Sequence, residues 1–426
     1  MESKEQKVMP FIERLLDGAT VEWKPLGEVC EIKGRIGFRG YTRNDLVEKG
    51  EGAITLSPSN IINQQLSFEN CSYISWIKYE ESPEIKVELN DVIFTKTASV
   101  GKTALVKTLP QESTINPQLV LLKRIKCIPA YLAYILQNDS FQQSVKQLTG
   151  QGSVPNVPQS SLAKIPIPLP PFFVQEEIVR ILDKFTTLEA ELEAELDCRK
   201  RQYEYYRNQL LSFDKLNRGG EKLNNVTWLT MEEVFEMRNG YTPLKSNLAY
   251  WEGGTIPWFR MDDIRTNGSI LKDSIQHITP QAIKGKGLFE VGSIIMATTA
   301  TIGEHALLLK RSLANQQFTN FRVRKSLDKM LIPKFIYYYF YVIDEWCKQN
   351  VNVSSFPSVS MDCLKRQSFP VPPLSEQQRI VSILDKFDTL VNSISEGLPK
   401  EIALRKKQYE YYRNKLLSFS QYQITA

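Results

Sequence analysis

The chain is one plan written twice, and this limits its possible folds more than any other feature, because a fold that suits one half must also suit the other. Val21-Glu-Trp23, Glu28-Val29 and Glu31 recur as Val226-Thr-Trp228, Glu233-Val234 and Glu236, a shift of 205 residues. Ile93-Phe-Thr-Lys-Thr-Ala-Ser-Val-Gly101 recurs as Ile295-Met-Ala-Thr-Thr-Ala-Thr-Ile-Gly303 at a shift of 202, and Pro155, Val157 and Leu162 recur as Pro357, Val359 and Leu364. Pro168-Leu-Pro-Pro171 is answered by Pro370-Val-Pro-Pro373 and Ile181-Leu-Asp-Lys-Phe185 by Ile383-Leu-Asp-Lys-Phe387. Gln202-Tyr-Glu-Tyr-Tyr-Arg-Asn208 returns as residues 408 to 414, now at a shift of 206. Copying is close after each Pro-Pro and loose before it, so one part of each half does the same job twice and the other does two related but different jobs.

The closely copied segments carry helical heptads. Ile178, Leu182, Phe185, Leu192, Leu196, Tyr203, Tyr206, Leu210 and Phe213 follow a four-three spacing, interrupted at Glu189 and Arg199. A helix of about 38 residues would run about 57 Å at 1.5 Å per residue, longer than one globular domain needs, so it calls for a partner helix. The second copy supplies one through Ile380, Leu384, Phe387, Val391, Ile394, Leu398, Ile402, Tyr409, Tyr412, Leu416 and Phe419. The four residues added between the shifts of 202 and 206 make a stutter of one turn at Glu396-Gly-Leu-Pro399. Gly397 can end one helix there and Pro399 can open the next, so a break near 397–399 is expected. The first helix carries a tandem Glu-Ala-Glu-Leu at 189–196 and should be continuous.

The divergent segments hold short β-branched runs such as Ala53-Ile-Thr-Leu56, Asp91-Val-Ile-Phe94 and Leu119-Val-Leu-Leu122 between turn residues. Each also has one amphipathic helix opened by proline, at Pro129 and Pro333, whose aromatics read as core. The expected fold is mixed α/β: two globular domains joined by long α-helices packed as an antiparallel coiled coil, with an internal pseudo-two-fold repeat.

The chemistry of the sequence points to binding. Val100-Gly-Lys-Thr103 has the end of a phosphate-binding loop, but Lys96 stands where its first glycine is needed and the second copy reads Gly303-Glu-His305. Leu169-Pro-Pro-Phe172 echoes an amino-methyltransferase loop, yet leucine cannot accept a hydrogen bond from a target amine. Six scattered cysteines and two histidines, His277 and His305, suggest neither a disulfide framework nor a zinc site. No apolar run reaches the 18 to 20 or so residues of a membrane span, and the first residues lack a signal-peptide core, so a cytoplasmic protein is expected. The net charge of +5 permits a polyanionic partner without requiring one.

Polar and basic residues gather instead in the loops of the divergent domains. The first offers Arg35, Arg39, Tyr41 and Arg43, then Lys96, Thr97, Ser99 and Lys102, then Gln151, Ser153 and Asn156. The second offers Tyr241, Lys245, Arg260 and Arg265, then Thr298, Thr299 and Thr301, then Ser354 and Ser355. Arginine suits guanine edges and phosphates, and small polar residues suit either, so these are candidate DNA contacts. Tyr205, Arg207, Tyr411 and Arg413 fall off the heptad seam and are candidates for docking two copies of one partner.

The order Pro-Pro-x-x-x-Gln-x-x-Ile at 170–178 and 372–380, then Ile-Leu-Asp-Lys-Phe, then Gln-Tyr-Glu-Tyr-Tyr-Arg-Asn resembles the specificity subunits of type I restriction-modification systems over essentially the whole chain. The resemblance implies a non-catalytic subunit that reads a bipartite, asymmetric double-stranded DNA target, one half-site per target-recognition domain. It also implies docking of two methyltransferase subunits and, through them, of restriction subunits. S-adenosylmethionine would then sit in the methyltransferase, with ATP and Mg in the restriction subunits and no cofactor in this chain. The tandem unit at 189–196 would set the unread spacer. On this plan residues 1–20 complete the repeat, 21–170 and 226–372 are the recognition domains, 171–213 and 373–419 are the helices, 214–225 is a linker and 420–426 a tail. A coiled-coil adaptor that never touches DNA, and a single-chain modification enzyme, are the competing readings. Salt-sensitive duplex binding separates the first and S-adenosylmethionine binding the second.

Overall fold

The computed structural model describes residues 10–35, 40–150, 154–213, 226–352, 357–393 and 396–419. Cα packing divides the chain into a first unit, Met1–Leu192 with Ile402–Ala426, and a second, Glu193–Glu401. The first unit contains α1 (Pro10–Leu16), β1 (Glu22–Pro25), β2 (Glu31–Lys33), β3 (Leu46–Val47), β4 (Gly52–Leu56), β5 (Ser72–Ser75), β6 (Val92–Thr95), β7 (Thr103–Leu105), β8 (Ser113–Ile115) and β9 (Leu119–Lys123). Then come α2 (Pro129–Gln137), α3 (Asp139–Leu148), β10 (Pro166–Leu169) and the start of α4 (Phe172–Leu211).

One antiparallel sheet runs β2-β9-β6-β7 and another β8-β4-β5-β3, with β8 and β4 parallel. Strands β6 and β9 lack polar alternation because both faces are covered. Val92, Phe94, Val120 and Leu122 face the core made with α2, α3 and the long helix, whereas Ile93, Leu119 and Leu121 face Ile54, Leu56 and Ile115 of the other sheet. A charge placed on either face would be buried without a partner.

The second unit repeats this plan with β11 (Thr227–Thr230), β12 (Phe235–Asn239), β13 (Ile256–Phe259), α5 (Met261–Asn267), β14 (Ile270–Leu271), β15 (His277–Ile278), β16 (Ile294–Ala297), β17 (His305–Leu308), β18 (Leu313–Ala314), β19 (Phe318–Val323), α6 (Pro333–Gln349), β20 (Ser368–Val371) and α7 (Leu374–Asn392). Its sheet runs β12-β19-β16-β17-β14, and β13 lies parallel to β18 as β4 does to β8. In each unit a two-stranded ladder, β1-β10 or β11-β20, ties the start of the domain to its Pro-rich end.

The repeated Gln and Asp of the helix motifs fasten each domain to its helix. Gln175 Nε2 donates to Pro170 O (2.8 Å) while its Oε1 accepts from Ile128 N (3.1 Å), just before α2. Gln377 Nε2 donates to Pro372 O and Met330 O, both at 2.8 Å, and its Oε1 accepts from Ile332 N (2.9 Å), just before α6. Asp183 accepts from Tyr134 (2.6 Å) and Asp385 from Tyr338 (2.5 Å). Both glutamines are buried, so each amide must be satisfied by the chain itself.

The long helices pair antiparallel. In the first unit Phe185 stacks on Tyr412 at 5.4 Å, and Glu189 meets Lys406 at 3.3 Å. In the second, Tyr206 stacks on Phe387 at 5.5 Å, which is the same contact made between the other two copies of the motifs. Helix α4 is continuous over 40 residues, but the second rod is α7 followed by α8 (Gly397–Leu416). The break therefore precedes Gly397, which heads α8 at φ +74°, and Pro399 lies in that helix's first turn. A Cβ at Gly397 would come within 2.4 Å of Thr389 O, so the return of the chain onto α7 needs glycine there. Ile394 lies outside the described residues.

Candidate nucleic-acid interface

At the end of β6 the chain makes a tight loop that three backbone segments hold. Lys96 N donates to Gln118 O (2.9 Å), Val157 N to Lys96 O (2.9 Å), Ala98 N to Pro155 O (2.9 Å) and Gly101 N to Thr95 O (3.0 Å). After β16 the same frame recurs: Thr298 N donates to Gln317 O (3.0 Å), Val359 N to Thr298 O (3.0 Å), Ala300 N to Pro357 O (3.3 Å) and Gly303 N to Ala297 O (3.2 Å). Ala98 and Ala300 both take left-handed backbone, at φ 64° and 65°, a costly state for alanine that the surrounding bonds enforce. Loop candidates from distant parts of the sequence thus meet at one end of each sheet.

The side chains on these two frames differ. Lys96 is half-buried with no acidic partner among the described residues, and burial pulls its ammonium below the ordinary lysine range. Thr97 Oγ1 donates to Asn156 Oδ1 at 2.8 Å, Ser99 is exposed, and Lys102 Nζ is engaged by Pro58 O at 3.2 Å. In the second unit Thr298 is buried with its hydroxyl 2.9 Å from Thr319 Oγ1, Thr299 pairs through its backbone with Ser358, and Thr301 Oγ1 is buried without a hydrogen-bond partner among the described residues. Arg260 lies over the Trp258 ring at 5.9 Å, its Nε buried without a hydrogen-bond partner among the described residues. Arg43, Lys245 and Arg265 are exposed.

Two candidates from the sequence belong to the scaffold. Arg35 is only 6% exposed; its Nε donates to Ile115 O and its Nη2 to Thr114 Oγ1, each at 3.2 Å, and it lies 5.2 Å from the Tyr41 ring. Burial lowers its affinity for its proton, and two of its donors are bonded to β8. Tyr241 likewise donates to Ala282 O (3.0 Å) and accepts from Lys284 N (2.7 Å). Tyr41 is half-buried and accepts from Thr55. Arg39, Gln151, Ser153, Ser354 and Ser355 lie outside the described residues.

The sequence reading missed an amide turn at the centre of each frame. In Asn116-Pro-Gln118, Asn116 Oδ1 accepts from Gln118 N (3.0 Å) and Asn116 Nδ2 donates to Gln118 Oε1 (3.1 Å). In Asn315-Gln-Gln317, the same two bonds both measure 3.1 Å. These turns repeat at a shift of 199 rather than 202, so a search along the main register of the repeat passes over them.

The off-seam helix residues divide in two. Tyr205 and Tyr411 are 61% and 57% exposed, each edge-on to the next tyrosine. Arg207 and Arg413 are not open docking groups, which corrects the expectation from the heptad. Arg207 lies over the rings of Tyr341 (4.2 Å) and Tyr203 (5.4 Å), and Arg413 lies over Tyr409 (5.5 Å) with Nη2 3.4 Å from Asp139. Each fills the junction between a helix and a domain.

Among the described residues no helix is long and apolar enough to cross a membrane, and no cluster of three or more His, Cys, Asp or Glu is placed to hold a metal. The type I restriction modification DNA specificity domain model matches residues 19–197 and 225–404. The Escherichia coli EcoR124I/EcoR124II specificity subunit is 34% identical over 96% of this chain and 97% of its own length. The Escherichia coli EcoprrI specificity subunit is 45% identical over 51% of this chain and 55% of its own. The crystal structure of the HsdS subunit from Thermoanaerobacter tengcongensis matches the fold at TM-score 0.54 and 18% identity, covering 98% of this chain and 99% of that one.

Proposed function

The chain belongs to the type I restriction modification DNA specificity family, and on that premise we propose that it reads a bipartite, asymmetric duplex target, each unit presenting one loop frame to one half-site. The observation that carries this reading is the frame itself, built twice with the same backbone bonds and different side chains. A half-buried lysine without a counter-charge, as at Lys96, is stabilised by an anion or by acceptor-rich base edges. The buried hydroxyls and Arg260 of the second unit offer a different pattern, so the two half-sites differ.

The chain supplies recognition and no chemistry. Its exposed Tyr205 and Tyr411 stand at equivalent points of the two helix copies and dock two methyltransferase subunits, which bring S-adenosylmethionine. Restriction subunits joining through them bring ATP and Mg. Helix α4 acts as a ruler, and deleting Glu193 to Leu196 is expected to change half-site spacing while both half-sites stay the same. The test of the DNA reading is selection of the full chain against a randomised duplex library at increasing salt. Two enriched half-sites with steep salt dependence are expected; absence of salt-sensitive duplex binding would favour a protein adaptor.

A further inference from the structure

We propose that Gln118 and Gln317 each read an adenine, so that the otherwise unlike half-sites share that base at the point each turn faces. The inference rests on the DNA reading above and adds which side chain reads which base.

In these two turns both the backbone bonds and the projecting glutamine are the same in the two frames. Asn116 spends both atoms of its amide on Gln118, and Asn315 does the same for Gln317. Each bracket fixes a partly exposed glutamine side chain. Immobilising a glutamine side chain costs rotamer entropy, and binding is favoured when that cost is met before the ligand arrives. Each bracket also leaves the same groups open. The Nε2 of Gln118 and of Gln317 has no partner among the described residues, and each Oε1, having accepted one hydrogen bond, keeps a second lone pair.

What remains is a rigid donor beside an acceptor. In the major groove only adenine offers the complement, an N7 acceptor next to an N6 donor. Guanine offers two acceptors, cytosine a donor and thymine an acceptor with a methyl group. Because the pattern is the same in both units, the base is the same in both half-sites. Elsewhere on the frames Lys96 of the first unit is matched in the repeat by Thr298 of the second, and there the reading differs.

The test uses the full chain with duplexes carrying the half-sites selected by the wild type, in which single adenines are replaced by 7-deazaadenine. One adenine in each half-site is expected at which loss of N7 weakens wild-type binding roughly tenfold. Gln118→Ala should abolish that sensitivity in one half-site only, and Gln317→Ala in the other only. Asn116→Ala should weaken it by freeing the glutamine. Because sensitivity is compared on duplexes differing by one atom, a general loss of folded protein cannot mimic the result. If the wild type selects two half-sites but neither variant changes sensitivity at any adenine, the inference is overturned while the DNA reading stands. The same holds if the two variants act on different bases. If the wild type selects no motif, both fall together.

Discussion

The loops after β6 and β16 share backbone bonds and left-handed alanines yet face opposite chemical problems. The first holds a half-buried cation at Lys96, the second a buried hydroxyl at Thr298 already bonded to Thr319. Below the loops the contrast continues. In the first unit Gly101 O accepts from Thr103 Oγ1 (3.2 Å) and from Gln142 Nε2 (3.0 Å), neutral groups that prop the turn. In the second, the position of Thr103 is taken by His305, whose Nδ1 is bonded to Asp344 and whose Nε2 is 2.9 Å from Tyr337 O, all buried. The backbone frame thus tolerates a neutral or an ionisable support, so recognition can diverge without a new fold.

The largest effect expected from breaking this comparison is at that support. Burial holds the Asp344 carboxyl above the usual range despite the opposing pull of His305, and one of its oxygens is already unpartnered. His305→Ala leaves a buried acid without its hydrogen-bond partner and should destabilise the second unit by about 3 to 5 kcal/mol in denaturant unfolding. Thr103→Ala, its counterpart, should cost only about 1 kcal/mol. Equal costs would mean that the pair contributes nothing special.

Next come the glutamines that fasten domain to helix. Gln377 satisfies three backbone groups and Gln175 two, so Gln377→Ala should cost about 3 kcal/mol and Gln175→Ala about 2, read from calorimetric midpoints. Reversal of that order would show that the two copies of the motif are not doing the same work.

Those glutamines illustrate what was legible in the sequence. The repeat, the heptads, the paired rods and the break beside Gly397 all follow from spacing, because a helix seam is a local periodic signal. Arg35 misled because a basic residue in a glycine-rich segment looks exposed, whereas its guanidinium crosses to β8, some 80 residues away in sequence. Arg207 and Arg413 misled in a related way. A residue off the seam is solvent-facing only if nothing else packs on that flank, and here Tyr341 covers Arg207 and Asp139 meets Arg413. The amide turns were hidden by a register slip of three residues.

A smaller effect is expected at the loop itself. Lys96→Thr places the second unit's residue in the first unit's frame and should remove about 1 kcal/mol of duplex affinity and about one from the salt slope. Folding should not suffer. A lysine whose proton affinity is lowered by burial opposes folding while charged, and that penalty fades as pH rises through the interval between its depressed value and the ordinary lysine range. Wild-type stability should therefore gain in that interval relative to Lys96→Thr. A variant less stable than wild type at neutral pH would show that Lys96 is held by contacts and not by the need for an anion.

The smallest effect on stability is expected at Tyr205 and Tyr411, and it bears on a respect in which the two halves should be alike. Both residues are largely exposed, each ring edge-on to the neighbouring tyrosine at 5.5 and 5.4 Å, so alanine at either should change stability by less than about 0.5 kcal/mol. Exposed tyrosines of this kind are strong contributors at protein interfaces, because a rigid amphipathic ring buries a large area at low entropic cost. If one partner docks twice, each substitution should weaken one of two equivalent binding events by a similar amount. Native mass spectrometry with the methyltransferase subunit would then give a one-partner complex for either single variant and none for the double. Loss of both partners from one substitution would mean that docking is a single composite surface, and the similarity of the helix copies would then reflect folding alone.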